Sequence, residues 1–190
     1  MLTKKKSLIV FCGMDGTGKT SLAKKLAQYL EEKGVAVELR HGHSYSISKN
    51  SFSFSDAKVG SLRCFLWLAL PIAFLDNLFT FYFKYIPAIK RKSLICDRYF
   101  YDKIARMLYY GVCNKWVAKV YVKLLPRPDF IFFLDVEPQQ AYLRKGEYNE
   151  EGLFKFRQVY SYISLCLSAP VINTSVSIEA SHKEVLSYLK

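Results

Sequence analysis

Nine residues close to the N-terminus, GMDGTGKTS at 13–21, bring together glycine, lysine and hydroxyl side chains at a spacing that suits one task. Gly13, four residues, Gly18, Lys19 and Thr20 fit G-x-x-x-x-G-K-[ST], the pattern of a loop wrapped round the phosphates of a nucleotide. Glycine tolerates positive φ and lets the backbone approach an anion closely, so the N–H groups across Gly13, Met14, Asp15, Gly16, Thr17 and Gly18 become a ring of donors. Lys19 supplies a point charge for the β and γ phosphates and Thr20 a hydroxyl for Mg²⁺. Ser21 carries the loop into a helix whose positive dipole end faces the same anion. A glycine-rich turn with a surface lysine is the bland alternative. Against it stands the context: the stretch follows the apolar run SLIVFC (7–12) and leads into the helix-like LAKKLAQYLEEKG (22–34).

A second constellation is LICDRY at 94–99, where an apolar strand ends in an acid followed at once by a base. Asp97 stands where a carboxylate can hold Mg²⁺ directly or through a water. Arg98, pointing into the crevice, can fork two hydrogen bonds onto a phosphate. A strand-end ion pair is the alternative, and the phosphate loop earlier in the same sheet favours the functional reading.

The elements that must position these residues show in the hydrophobic pattern. Five short apolar runs, at 7–12, 35–39, 93–96, 130–136 and 170–173, alternate with helical segments, which argues a five-stranded parallel sheet sandwiched by helices in three layers. The first helix carries Leu22, Ala23, Leu26, Ala27 and Leu30 on one face and stops at Gly34. NKWVAKVYVKLL opens on a capping asparagine, LFKFRQVYSYISLCL repeats at helical spacing, and SHKEVLSYLK shows a capping box at Ser181 and Glu184. The polar stretch 41–61 reads as a long loop, of the kind that lines a ligand crevice at strand C-terminal ends.

The chain of 190 residues is of single-domain size, and 51% hydrophobic with 23% charged residues excludes a disordered chain. Its 28 Lys+Arg against 16 Asp+Glu give +12, which favours anionic ligands in general. No dense basic run beyond KKK at 4–6 points to stable nucleic-acid binding. Five cysteines show no C-x-x-C pairing and read as reduced thiols, with Cys12, Cys96 and Cys166 in apolar, core-like stretches. With no signal peptide before the first strand, the expected compartment is the cytoplasm. The apolar stretch 64–83 contains Pro71, Asp76 and Asn77, which argue against a membrane span and for a buried or interface helix. His41 and His43 lack partners at zinc-ligand spacing and read as loop residues.

These residues resemble the thymidylate kinase family of nucleoside monophosphate kinases. The likeness rests on GMDGTGKTS (13–21), DRY (97–99), LPRPDFIFFLDVEPQQA (125–141) and YNEEGLFKFRQVYSYI (148–163), in the family's order and spacing across nearly the whole chain. It implies a P-loop NTPase fold, transfer of the γ-phosphoryl of MgATP to the 5′-phosphate of a nucleoside monophosphate such as dTMP, a mobile lid, and a homodimer packed through apolar helices. By that likeness Asp15 faces the acceptor's sugar hydroxyl, Asp97 orders magnesium, Arg98 grips the acceptor phosphate, and Tyr99 belongs to the acceptor site. In family members lacking an arginine inside the phosphate loop, as here with Thr17, the resemblance assigns transition-state stabilisation to lid arginines. The lid follows Pro138, around 142–152, and is short. Arg144 is its candidate, with Arg157 second.

Some positions depart from the family pattern. FYDKIAR (100–106) puts Asp102 and Lys103 where thymidylate kinases usually carry a small, serine-containing stretch against the pyrimidine nucleotide. The helix before that strand offers no arginine for the acceptor phosphate until Lys84, whereas Arg40, in RHGHSYS, can serve as a phosphate ligand. Thymidylate-kinase-like proteins with an aromatic and an aspartate after D-R-Y are closer over 94–140. Phe74 and Phe79 can stack a base if their helix borders the crevice; helix packing or a dimer seam is the alternative. Two other functions remain open: a kinase of another small acceptor, a nucleoside or sugar derivative, and a nucleotide-dependent regulatory protein that transfers nothing.

Overall fold

The computed structural model describes residues 6–41, 63–146 and 148–189, with the backbone only at 63–70. Five strands, β1 (Leu8–Cys12), β2 (Val37–His41), β3 (Ser93–Asp97), β4 (Phe130–Asp135) and β5 (Val171–Asn173), form one parallel sheet in the order β2-β3-β1-β4-β5. Between and after them run α1 (Lys19–Glu32), α2 (Arg63–Thr80), a π-helical turn (Phe81–Tyr85), α3 (Ile86–Ile89), α4 (Phe100–Tyr109), α5 (Lys115–Leu124), α6 (Pro138–Lys145), α7 (Glu150–Leu167) and α8 (Ile178–Tyr188).

The central strands β3, β1 and β4 are largely apolar because both faces of the sheet are covered there, whereas the edge strand β2 carries Glu38, Arg40 and His41. Side chains alternate: Leu8, Val10, Cys12, Leu94, Cys96, Ile131 and Phe133 join the core that includes residues of α4, α5 and α7. Ile9, Phe11, Ile95, Phe132 and Leu134 join the opposite core, built on Leu22, Ala23, Leu26, Ala27 and Leu30 of α1 and Val185 of α8. The five apolar residues of α1 are thus on the one face where its spacing puts them, and Gly34, with φ +77°, stands just past its end. Asn114 caps α5 by accepting from the Val117 N–H at 2.9 Å.

Two local expectations are corrected. The capping box at Ser181 and Glu184 does not form: α8 starts one turn earlier, where the Ser177 hydroxyl accepts from the Ala180 N–H at 3.1 Å. Ser181 instead sits inside the helix, its hydroxyl donating to the carbonyls of Asn173 and Ser177. Cys166 is half-buried at the rim of the core, while Cys12 and Cys96 are fully buried. His41 ends β2 and so is not a loop residue; the rest of the expected loop, with His43, lies outside the described residues. No helix among the described residues is long and apolar enough to cross a membrane.

Because β1 and β3 are parallel neighbours, their C-terminal ends lie side by side in the middle of the sheet. Phe11 pairs with Asp97, so the phosphate loop leaving β1 and the Asp97–Arg98 pair leaving β3 emerge side by side.

Candidate active site

The loop between β1 and α1 folds back on itself. Thr17 is buried, and its hydroxyl donates to the Met14 carbonyl at 2.9 Å, bracing the turn. Lys19 Nζ donates to the same carbonyl at 2.6 Å, which keeps the ammonium curled over the loop. Gly16 and Gly18 have φ of +87° and +80°, a region that side-chain-bearing residues enter only at a cost. At Gly16 a second constraint applies, since a Cβ there would lie 2.7 Å from the Ala141 carbonyl oxygen, so α6 sits directly against the loop. Burial and the nearby Arg98 cation lower the Lys19 pKa, with the carboxylates of Asp102, Asp15 and Asp97 opposing them.

Thr20, in the first turn of α1, donates its hydroxyl to Asp97 Oδ2 at 2.5 Å. The other oxygen, Asp97 Oδ1, is buried with no hydrogen-bond partner among the described residues. An orphaned carboxylate oxygen beside a threonine hydroxyl suits a hard, oxygen-seeking cation that keeps several waters, and the pair fits Mg²⁺. His41 Nδ1 lies 3.3 Å from Asp97 Oδ2 on the strand next door.

Arg98 is buried, adopts φ +79°, and directs its guanidinium onto Asp15 Oδ1. Lys145, at the last position of α6, brings Nζ to 3.8 Å from the same oxygen. Burial alone would raise the Asp15 pKa; Arg98, Lys19, Lys145 and Arg106 more than offset it, and the carboxyl is held below the usual range. For Arg98 burial works to lower the pKa, and Asp102 and Asp15 outweigh it, so the guanidinium stays charged. The site therefore gathers cations from the phosphate loop, β3, α4 and α6 around one carboxylate. This is a surplus of positive charge where two phosphorylated ligands can meet.

Arg144 faces the other side of the loop. Its guanidinium donates to the Gly16 carbonyl at 3.2 Å and to the Thr174 carbonyl at 3.1 Å. There it walls an open cavity of about 310 Å³ together with Thr17, Ser21, Thr174, Val176 and Ile178. Of these two cations in the last turn of α6, Lys145 reaches Asp15 and Arg144 borders the cavity. Arg157, the second lid candidate, is held on Asp135 by both carboxylate oxygens at 2.7–3.1 Å and reaches Glu137 at 2.8 Å, so it braces α7 against the entry to α6.

Other expected residues are directed elsewhere. The Tyr99 side chain is in the core, the residue 1% exposed and its hydroxyl donating to the Pro126 carbonyl at 3.0 Å, so it cannot face an acceptor. Arg40 Nε donates to Glu38 at 2.6 Å and Nη1 to the Lys84 carbonyl at 3.3 Å, with Tyr85 beneath the cation. Asp102 is wholly buried, and Lys103 lies 3.7 Å from Asp76 of α2. Phe74 packs on Tyr121 of α5, which is helix packing, whereas Phe79 stacks on Phe83 one turn along and stays half-exposed. Sequence reasoning missed Arg106, whose charge acts on Asp15. Its spacing from Asp102, one helical turn on, was the available signal.

Comparison with known proteins agrees with this fold. A sequence model described as thymidylate kinase matches residues 11–185. A probable thymidylate kinase of Sulfurisphaera tokodaii is 31% identical over 72% of this chain and 67% of its own length. One of Pyrococcus horikoshii is 29% identical over 96% and 95%, and a thymidylate kinase of Caenorhabditis elegans is 29% identical over 79% and 72%. The crystal structure of thymidylate kinase from Ehrlichia chaffeensis superposes with a TM-score of 0.67 at 22% identity, covering 98% of this chain and all of the other, a likeness of fold. With a family model that matches residues 11–185 and a relative 31% identical over 72% of this sequence, the chain belongs to the thymidylate kinase family.

Proposed function

We propose that this chain is an ATP-dependent nucleotide kinase that transfers the γ-phosphoryl of ATP to dTMP, giving dTDP. The observation that carries the reading is the second anion grip: Arg98, buried and set beside the phosphate loop on the neighbouring strand, faces Asp15 and not solvent. A protein that only bound or hydrolysed a nucleotide has no use for it.

Phosphoryl transfer needs alignment and charge neutralisation more than covalent help, and a phosphate acceptor needs no general base. The backbone of 13–18, Lys19 and Ser21 hold the donor's phosphates, and Arg144 borders the cavity into which the rest of the donor extends. Thr20 and Asp97 would hold Mg²⁺, which would supply neutralisation of the donor's phosphate charge. Arg98 exchanges Asp15 for the acceptor phosphate, which frees Asp15 to accept from a sugar hydroxyl. Lys145, whose Nζ lies 3.8 Å from Asp15 Oδ1, adds a cation on the acceptor side. Residues 142–152, from the end of α6 into α7, close over both ligands as the lid of a single domain.

The exposed apolar row Ile72, Leu75, Phe79 and Phe83 supports a homodimer through α2 and the π-helical turn, Phe83 being 65% exposed. Among the described residues Cys12, Cys96, Cys113 and Cys166 form no disulfide, which suits a reducing, cytoplasmic setting. The test is ADP release by the purified protein with ATP, Mg²⁺ and a panel of nucleoside monophosphates, nucleosides and sugars. Turnover is expected with monophosphates, dTMP foremost. Turnover with unphosphorylated acceptors alone, or nucleotide binding without acceptor-dependent ADP release, rejects the reading.

A further inference from the structure

Asp102 is 0% exposed, yet it is a carboxylate on the first turn of α4. A carboxylate taken out of water is destabilising unless its oxygens are bonded, and here both are. Oδ2 accepts from the Tyr99 N–H at 2.9 Å, and Oδ1 accepts from the Tyr160 hydroxyl of α7 at 2.9 Å. An ordinary helix cap can bond its N–H groups from the surface, as Asn114 does on α5. Nothing in capping alone requires full burial or a second donor from another helix.

What the carboxylate holds is the turn that carries Arg98. That residue has φ +79°, a conformation an L side chain keeps only when its surroundings over-determine it. The peptides on either side of its Cα are both pinned: the Arg98 N–H bonds the Phe11 carbonyl of β1 at 2.9 Å, and the next N–H, that of Tyr99, bonds Asp102. The side chain completes the set on Asp15. The Asp102 carboxylate also favours the charged form of Arg98, so the group that pins the turn is a buried counter-charge for its guanidinium.

We propose that Asp102, held by Tyr160, is a positioning residue for Arg98, fixing the left-handed turn that delivers the guanidinium to the acceptor phosphate. This rests on the reading of Arg98 as the acceptor's grip. It replaces the expectation that Asp102 lines the acceptor pocket, since a side chain with no exposed surface touches no ligand. Tyr160 also lies one turn beyond Arg157, which clamps Asp135 and Glu137 at the entry to α6. One face of α7 therefore braces the acceptor grip and the lid together.

The test is a double-mutant cycle in steady-state kinetics on whichever monophosphate the wild-type enzyme turns over, comparing Asp102→Asn, Tyr160→Phe, Arg98→Ala and the two doubles with Arg98→Ala. Asp102→Asn keeps an acceptor for the Tyr99 N–H but loses the charge. It is expected to raise the acceptor KM about 10-fold while the ATP KM stays within about 2-fold. Tyr160→Phe loses only a hydroxyl, keeps the fold, and is expected to raise the acceptor KM about 3-fold; it decides the matter alone should Asp102→Asn not fold. Neither change adds to the acceptor KM once Arg98 is alanine. An unchanged acceptor KM, or an increase that persists in the Arg98→Ala background as general loosening would give, overturns the proposal. A wild-type enzyme that transfers to no acceptor sinks the reading of the site, and the proposal with it. One that transfers while the cycle shows no coupling sinks the proposal alone.

Discussion

Gly16 and Gly18 offer a controlled comparison of how tightly α6 seats on the phosphate loop. Both have φ in the left-handed region, so alanine at either costs about 1–2 kcal/mol of backbone strain. At Gly18 nothing lies within 4 Å of the added Cβ. At Gly16 the methyl would sit 2.7 Å from the Ala141 oxygen and 2.9 Å from its Cα, and these are backbone atoms that no rotamer change can remove. The helix must shift bodily, an overpacking cost of about 1–3 kcal/mol beyond the strain. At about 2–4 °C per kcal/mol for a chain of this size, Gly16→Ala should melt about 2–12 °C below Gly18→Ala. Circular dichroism melts of the two variants without nucleotide measure that difference directly. Displacing α6 also displaces Arg144 from the Gly16 carbonyl, so ATP affinity should fall further in Gly16→Ala. Equal melting temperatures would refute the close seating of α6, and with it the placement of Arg144 and Lys145 over the loop.

Other consequences follow from the same geometry. Lys19→Ala removes the buried cation over the loop and is expected to lower kcat by about 10²-fold or more with every acceptor, read as ADP release. Asp97→Asn, which leaves Thr20 without its carboxylate, is expected to raise the Mg²⁺ concentration for half-maximal rate by about 10-fold or more in a metal titration. Arg144→Gln is expected to raise the ATP KM several-fold and leave the acceptor KM unchanged, because its contacts lie on the cavity side of the loop. His182, edge-on to Tyr29, has its pKa lowered by burial and then by Lys25. The neutral form is favoured by folding, so its contribution is present above the unfolded pKa of about 6.5 and is lost as pH falls below it. His182→Phe should therefore flatten the decline in melting temperature between about pH 7 and pH 5 relative to wild type.

The sheet and the donor half of the site were legible because their signals are local. A glycine-rich loop between an apolar run and an amphipathic helix is contiguous, and strands covered on both faces stay apolar from Leu8 to Cys12 and from Phe130 to Leu134. The acid and base ending β3 could likewise be read as a pair. What they face could not be, since Arg98 meets Asp15 across 83 positions and Asp102 meets Tyr160 across 58. Arg157 looked like a free lid cation because Asp135 and Glu137 lie on a different element, and Tyr99 looked like a site residue because its neighbours in sequence are. The start of α8 was misread because Ser177 and Ser181 are both plausible caps. The Asn173 carbonyl, brought alongside by β5, engages the Ser181 hydroxyl inside the helix.

The most direct test of the central claim follows the transferred group itself. With ATP labelled at the γ-phosphate, Mg²⁺ and dTMP, label should appear in dTDP at a rate that vanishes in Lys19→Ala and falls in Arg98→Ala. Label released only as inorganic phosphate, or retained in ATP whichever monophosphate is supplied, would contradict a site built to hold two phosphate chains in line.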